Sequence, residues 1–87
     1  MKATAFDEVW NRIVNNAGEV FKTKAGLDFT YCINGELLLP SATDYKISKN
    51  DFKKAYAMLP IDGPGQIRDI ARGPSYVWAI LNDKRII

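Results

Sequence analysis

The dipeptide Asn34-Gly35 is the feature of this chain that most constrains its fold. It lies between two largely apolar segments, residues 27–33 and 36–39, and Asn-Gly in such a position is typical of a two-residue type I′ β-hairpin turn. The turn fixes the register of the two strands, and side chains two residues apart lie on the same face of the sheet. The predicted pairs are Ile33 with Glu36, Cys32 with Leu37 and Tyr31 with Leu38, so that Phe29, Tyr31, Ile33 and Leu38 share one face.

A second turn is predicted upstream of this hairpin. Lys24-Ala25-Gly26 suits a three-residue hairpin loop in which glycine takes the left-handed conformation. The loop pairs Phe21 with Phe29, which adds Phe21 to the same face. Together the two turns predict a three-stranded antiparallel meander.

The first segment of the chain has the periodicity of an amphipathic helix. Thr4 is a candidate N-cap, and Gly18 is a candidate C′ residue that ends the helix. We expect its apolar stripe to pack on the meander. The residues of that stripe are Phe6, Val9, Trp10, Ile13, Val14 and Ala17.

The start of a second helix is marked by Ser48 and Asp51, which stand at the spacing of a capping box, and by Ile47 and Phe52, which stand at the spacing of a hydrophobic staple. Pro60 ends this helix. A third helix is expected over residues 66–72 and a last one over residues 74–83. The predicted class is therefore α+β: an N-terminal helix packed on a three-stranded antiparallel meander, followed by three C-terminal helices, all in one domain spanning residues 1–87.

The composition excludes several kinds of chemistry. Cys32 is the only cysteine and the chain has no histidine, so an internal disulfide, a Cys/His zinc site and a histidine-dependent nucleophile cannot be assembled. A chain of 87 residues is also too small to enclose a large substrate cavity. We expect a non-enzymatic binding module with no cofactor and no metal. The sequence also predicts a cytoplasmic location and no membrane partner, because it contains neither a signal peptide nor a long apolar segment.

The two halves of the chain differ in charge. Residues 1–45 contain four basic and six acidic residues, whereas residues 46–87 contain eight basic and four acidic residues. A basic surface of this kind favours nucleic acid, because Lys and Arg side chains neutralise phosphates. The competing interpretation is that these are ordinary solvated helix faces. The predicted phosphate ligands are Lys49, Lys53, Lys54, Arg68 and Arg72, with Lys84 and Arg85 as auxiliary contacts.

Two aromatic residues of the last helix suggest a different partner. Trp78 lies beyond the edge of the inward arc of that helix, so it is either partly exposed or covered by another part of the chain. An exposed Trp78, together with Tyr76, would be an anchor for a protein partner or a stacking platform for a base. The alternative function is therefore a protein–protein interaction module or a small adaptor. Packing in the core is the competing interpretation for Trp78.

Two partial resemblances to known families also indicate nucleic acid. The order helix, three strands, helix, with Lys53-Lys54 on the second helix, is similar to double-stranded-RNA-binding domains, although the loop histidine of that family is missing. A segment of about 17 residues resembles the helix-turn-helix of lac-repressor-type regulators, with a shorter turn and with Trp78 on the recognition helix. The residues that resemble that motif are Ile67-Arg68-Asp69-Ile70-Ala71, Ser75-Tyr76-Val77 and Leu81-Asn82-Asp83.

Overall fold

The computed structural model describes residues 5–41 and 43–87. These residues form an α+β fold with antiparallel sheets, as the sequence predicts. The elements in chain order are α1 (Phe6–Asn15), β1 (Phe21–Lys22), β2 (Asp28–Phe29), β3 (Tyr31–Asn34), β4 (Leu37–Pro40), β5 (Ile47–Ser48), α2 (Lys49–Ala57), a 3-10 turn (Pro64–Gln66) and α3 (Pro74–Leu81).

The first helix buries the face that its periodicity predicts. Phe6, Val9, Trp10 and Ile13 are all buried, whereas Val14 remains exposed. Ala5 is the N-cap residue, and the predicted cap Thr4 lies outside the described residues. The helix contacts β3 through Tyr31, whose hydroxyl donates a hydrogen bond of 2.6 Å to the backbone carbonyl of Ile13.

The predicted three-stranded meander is wrong in one respect: the strands form two sheets. β1 pairs with β2 in the predicted register, with Phe21 opposite Phe29. The expected middle strand is interrupted at Thr30, which belongs to neither β2 nor β3, and the Thr30 amide donates to the Ser41 hydroxyl at 3.0 Å. The Thr30 carbonyl accepts from the Ser41 amide at 2.8 Å. Both bonds extend the register of β3 and β4, in which Tyr31 lies opposite Pro40, and the second sheet has the order β3-β4-β5.

The register of the second hairpin also differs from the prediction, by two residues. Leu38 lies opposite Ile33 instead of Tyr31, and the two turn residues are Gly35 and Glu36. Only Gly35 has a positive φ, of 63°, which is the pattern of a type II′ turn with glycine at its first position. Because side chains alternate with a period of two, this shift keeps every predicted residue on its predicted face. Tyr31 and Leu38 are buried and Ile33 packs against the core.

The start of α2 follows the sequence signals closely. Ser48 is the N-cap, and its hydroxyl accepts a hydrogen bond of 3.1 Å from the amide of Asp51. Ile47 and Phe52 are both fully buried. Ile47 additionally belongs to β5, a short strand that the sequence did not predict and that pairs Ile47 with Leu38.

The helix predicted over residues 66–72 is wrong. The structure has only the 3-10 turn and then a single helical turn, in which the amide of Ala71 donates to the carbonyl of Ile67 at 3.0 Å. Gly73 follows immediately in the left-handed conformation, with φ of 62°, so the chain reverses before a second turn can form. The described residues therefore contain three α-helices, not four. Ile67 and Ala71 are nevertheless buried, as expected.

Candidate functional site

Helix α2 presents three of the predicted basic residues, in two different environments. Lys53 and Lys54 are exposed, and neither forms an ion pair within the described residues. The Lys49 side chain is only 30% exposed, and its ammonium lies 4.0 Å from carboxylate oxygens of both Asp7 and Glu36. Lys49 therefore has two carboxylates as neighbours within the protein, whereas Lys53 and Lys54 have none in the described part of the chain and are free to bind an anion.

Arg68 and Arg72 stand four residues apart, a spacing that predicts one shared flank on a helix, but the helix that would align them is absent. Arg68 is exposed on the turn after Ile67. The Arg72 guanidinium carbon lies 5.3 Å from the centre of the Tyr45 ring, within cation–π distance. The Arg72 amide donates to the carboxylate of Asp51 at 3.3 Å, which ties this loop to the first turn of α2.

The two auxiliary basic residues near the carboxyl end also differ from each other. Lys84 is exposed and has no ion pair among the described residues, whereas the Arg85 side chain is hydrogen-bonded to other residues of the chain. Its guanidinium donates to both carboxylate oxygens of Asp83 at 2.9 Å and to the carbonyl of Val20 at 2.8 Å, and it lies 3.9 Å from the centre of the Phe21 ring. The hydrogen bond from Arg85 holds the pKa of the Asp83 carboxyl below its ordinary value. Arg85 thus connects the last segment to β1.

The two aromatic residues predicted as anchors both have partners in the chain. Trp78 is half-buried against the core, and its indole N–H donates to the carbonyl of Ile61 at 3.1 Å. Tyr76 is also half-buried, and its ring meets that of Phe29 edge-on, at 4.9 Å between centres and an angle of 77°. One side of Tyr76 remains accessible, because this residue lines a cleft on the surface.

This cleft, which we call the tyrosine cleft, has a volume of about 580 Å³. Four separate parts of the chain form it: the loop between β1 and β2, the segment before β5, the 3-10 turn, and the residues around the start of α3. Its described lining residues are Thr23, Lys24, Ala25, Leu27, Tyr45, Pro64, Gly73, Pro74, Ser75 and Tyr76. Leu27 is 68% exposed and Tyr45 is 39% exposed, so the cleft offers apolar and aromatic surface directly to solvent.

Gly73 allows the two tyrosine rings of the cleft to come together. A β-carbon at this position would lie 3.0 Å from a Tyr45 ring carbon, 3.0 Å from the Ile47 methyl and 3.3 Å from a Tyr76 ring carbon. Its φ of 62° is also one that other residues rarely adopt. Glycine is therefore required at this place both by the backbone and by the space that the rings occupy.

Lys24 supplies a positive charge at the edge of the tyrosine cleft. Its ammonium donates a hydrogen bond of 2.6 Å to the carbonyl of Asp62, and it lies 5.7 Å from the centre of the Trp78 ring. The sequence analysis placed Lys24 in a hairpin loop and gave Tyr45 no role, so neither residue was predicted as part of a site. The only local signal was an aromatic residue in an otherwise polar segment.

Neither a metal-binding cluster nor a membrane-spanning helix is found among the described residues. Within residues 5–41 and 43–87, no group of three or more Cys, Asp or Glu side chains is arranged to hold a metal ion. No helix in these described segments combines the length and the apolar character needed to traverse a bilayer. Comparison with known proteins gives no match to a family model, to a curated protein or to a solved structure.

Proposed function

We propose that this protein is a small non-enzymatic module that binds nucleic acid through the basic side chains of its C-terminal half. The observation that supports this proposal is the difference in ion pairing between the two halves. In the described N-terminal part, Arg12 lies 4.0 Å from Glu8 and Lys22 lies 3.3 Å from Asp28, whereas Lys24 forms no ion pair and donates to a carbonyl. In the C-terminal part, five of the predicted phosphate ligands are exposed and form no ion pair with any described residue: Lys53, Lys54, Arg68, Arg72 and Lys84.

Unpaired cations are the ones that gain most from a phosphate. A lysine that already neighbours a carboxylate must give up that interaction, whereas an exposed and unpaired lysine exchanges only water and loosely held counterions. Lys49 and Arg85 accordingly contribute less than the sequence suggested, because carboxylates of the chain already offset their charge. The five unpaired residues are the ones to which we assign phosphate contacts.

The alternative, a protein-interaction module anchored by Tyr76 and Trp78, has less support. The half-buried Trp78 ring packs against the core, and its N–H is already bonded to Ile61. An anchor residue of an interface normally offers both its surface and its polar group to the partner. Trp78 already uses its N–H and part of its ring surface within its own chain.

The proposal is tested by fluorescence anisotropy with duplex DNA, duplex RNA and single strands over a series of salt concentrations. We expect binding that weakens linearly in a plot of log affinity against log salt concentration. The Lys53→Gln/Lys54→Gln double variant should reduce the magnitude of that slope by about two, because each lysine that contacts a phosphate contributes about one.

Lys22→Gln is the matched control, since it removes an exposed lysine that already has a carboxylate partner. It should leave both the affinity and the slope nearly unchanged. The proposal fails if no nucleic acid binds at low salt, if binding is independent of salt, or if the control weakens binding as much as loss of a single lysine of α2 does.

A further inference from the structure

The tyrosine cleft has the size and the lining of a ligand site. Its volume of about 580 Å³ falls within the range of roughly 300–1,000 Å³ that small-molecule sites occupy. Two tyrosine rings and the exposed Leu27 provide flat apolar surface, and the Ser75 hydroxyl adds a polar group. Such a surface suits a planar group that stacks on an aromatic ring.

Both rings are already held in position. Phe29 supports Tyr76 edge-on, and the backbone of Gly73 lies against Tyr45 and Tyr76. Arg72 further covers part of Tyr45. A ligand therefore does not have to order these side chains, and the entropy cost of binding is correspondingly small.

The charges at the tyrosine cleft are positive. Lys24 uses one of its three donor hydrogens on the carbonyl of Asp62, which leaves two for a ligand. Arg72 stands at the Tyr45 side of the cleft. None of the described residues that line the cleft is acidic. The expected ligand therefore combines a planar aromatic group with negative charge beside it, which is the chemistry of a nucleotide.

We infer that the tyrosine cleft takes an unpaired base of a single-stranded nucleic acid, which stacks on Tyr45 and Tyr76 while Lys24 and Arg72 bind the neighbouring phosphates. This inference rests on the proposed function and narrows it from nucleic acid in general to single strands. Bases within a duplex are stacked on each other, so their faces are not accessible to a protein ring without unstacking. Stacking on tyrosine is available to every base, and the cleft is therefore expected to be tolerant of sequence.

The test compares a short oligothymidylate with a duplex of similar length by fluorescence anisotropy. Tyr45→Leu should weaken binding of the single strand by about 5- to 150-fold, the loss expected for one stacked base. It should change duplex binding by less than about twofold, because a duplex reaches only the exposed cations. Val20→Ala is the control: it also shortens an exposed apolar side chain, but one that lies outside the cleft lining.

A second variant separates binding from folding. Ser75→Asp places a carboxylate in the cleft, where it repels a phosphate, but also in the first turn of α3, where negative charge stabilises a helix. We expect this variant to unfold at the same or a higher temperature than the unmodified protein and still to lose affinity for the oligothymidylate. Amide resonances of residues 24, 45, 73, 75 and 76 should shift on titration of the ¹⁵N-labelled protein.

The outcomes distinguish the two proposals. If the protein binds neither single strands nor duplexes, the proposed function fails and the inference fails with it. If both bind and Tyr45→Leu weakens them equally or not at all, the inference is overturned while the proposed function stands. Binding of an acidic peptide in the cleft with no shifts from oligothymidylate would also overturn the inference.

Discussion

Gly73 offers the most direct test of the described packing around the tyrosine cleft. Replacing it with alanine imposes two separate costs. The first is the backbone strain of a left-handed conformation at φ of 62°, which amounts to about 1–2 kcal/mol for a residue with a β-carbon. The second is steric, because the new β-carbon would lie 3.0 Å from both Tyr45 and Ile47, and overpacking of this kind costs about 1–3 kcal/mol.

The two costs together predict a loss of about 2–5 kcal/mol in the free energy of unfolding. That is a large part of the total for a chain of this length, for which roughly 4–13 kcal/mol is expected. Equilibrium unfolding in urea, followed by tryptophan fluorescence, measures the loss as a change in the transition midpoint.

Two other glycines separate the contributions. Gly26 has φ of 91° but nothing within 4 Å of a β-carbon, so Gly26→Ala should show only the strain of about 1–2 kcal/mol. Gly65 has neither a positive φ nor a close neighbour, and its alanine variant should be nearly neutral. If Gly73→Ala costs no more than Gly26→Ala, the tyrosine rings do not enclose Gly73 as described, and the geometry of the cleft is refuted.

Three further predictions concern polar contacts of individual side chains. Ser48→Ala should lower the free energy of unfolding by about 1 kcal/mol through loss of the α2 cap, and Ser48→Asp should restore most of it in thermal unfolding. Tyr31→Phe should cost about 0.5–1.5 kcal/mol in urea unfolding, because it removes the buried bond to the Ile13 carbonyl. Since the pKa of Asp83 is lowered in the folded protein, its stabilising effect is present above its ordinary pKa of 3.8 and is lost as the pH falls through the lower, folded value. Asp83→Asn should therefore be less stable than the unmodified protein at neutral pH, and this difference should disappear in acid; a difference that persists unchanged in acid would contradict the assigned bond to Arg85.

Signals that depend on neighbouring residues were sufficient to predict the start of α2. The cap at Ser48 and the buried pair Ile47 and Phe52 need only local spacing, because each contact spans a single turn of helix. The same is true of the pairing of Phe21 with Phe29 across a three-residue loop. These elements could be predicted because the residues that form each contact lie close together in the sequence.

The errors arise where a distant residue decides the local structure. The expected middle strand is divided at Thr30, whose amide and carbonyl both bond to Ser41, eleven residues away. Residues 66–72 have a helical pattern of burial, but Gly73 ends the segment after one turn, and a helix of one turn gains too few hydrogen bonds to compensate for its nucleation. Periodicity shows which side of such a segment is buried and does not show how long the helix is.

The tyrosine cleft illustrates the same limit for function. Lys24, Tyr45 and Gly73 come from three separate segments, and nothing in their local sequence relates them. The predicted set of basic residues, by contrast, was inferred from charge and helix spacing, and neither reveals that carboxylates already neighbour Lys49 and Arg85. Pairing within the folded chain is what divides these cations into free and engaged groups.

The two proposed modes of binding, phosphate contact and base stacking, are distinguished by how the affinity depends on salt concentration. Phosphate contacts release counterions, so their contribution falls as salt rises, whereas stacking of a base on Tyr45 involves no counterion and should be nearly independent of salt. For a single strand, Tyr45→Leu should thus displace the line of log affinity against log salt concentration downward without changing its slope. The Lys53→Gln/Lys54→Gln variant should instead make that line less steep. Arg72→Gln should both lower the line and make it less steep, because Arg72 is an unpaired cation and also contacts the Tyr45 ring. If the slope is the same for all three variants and the unmodified protein, the free cations of the C-terminal half do not bind phosphate.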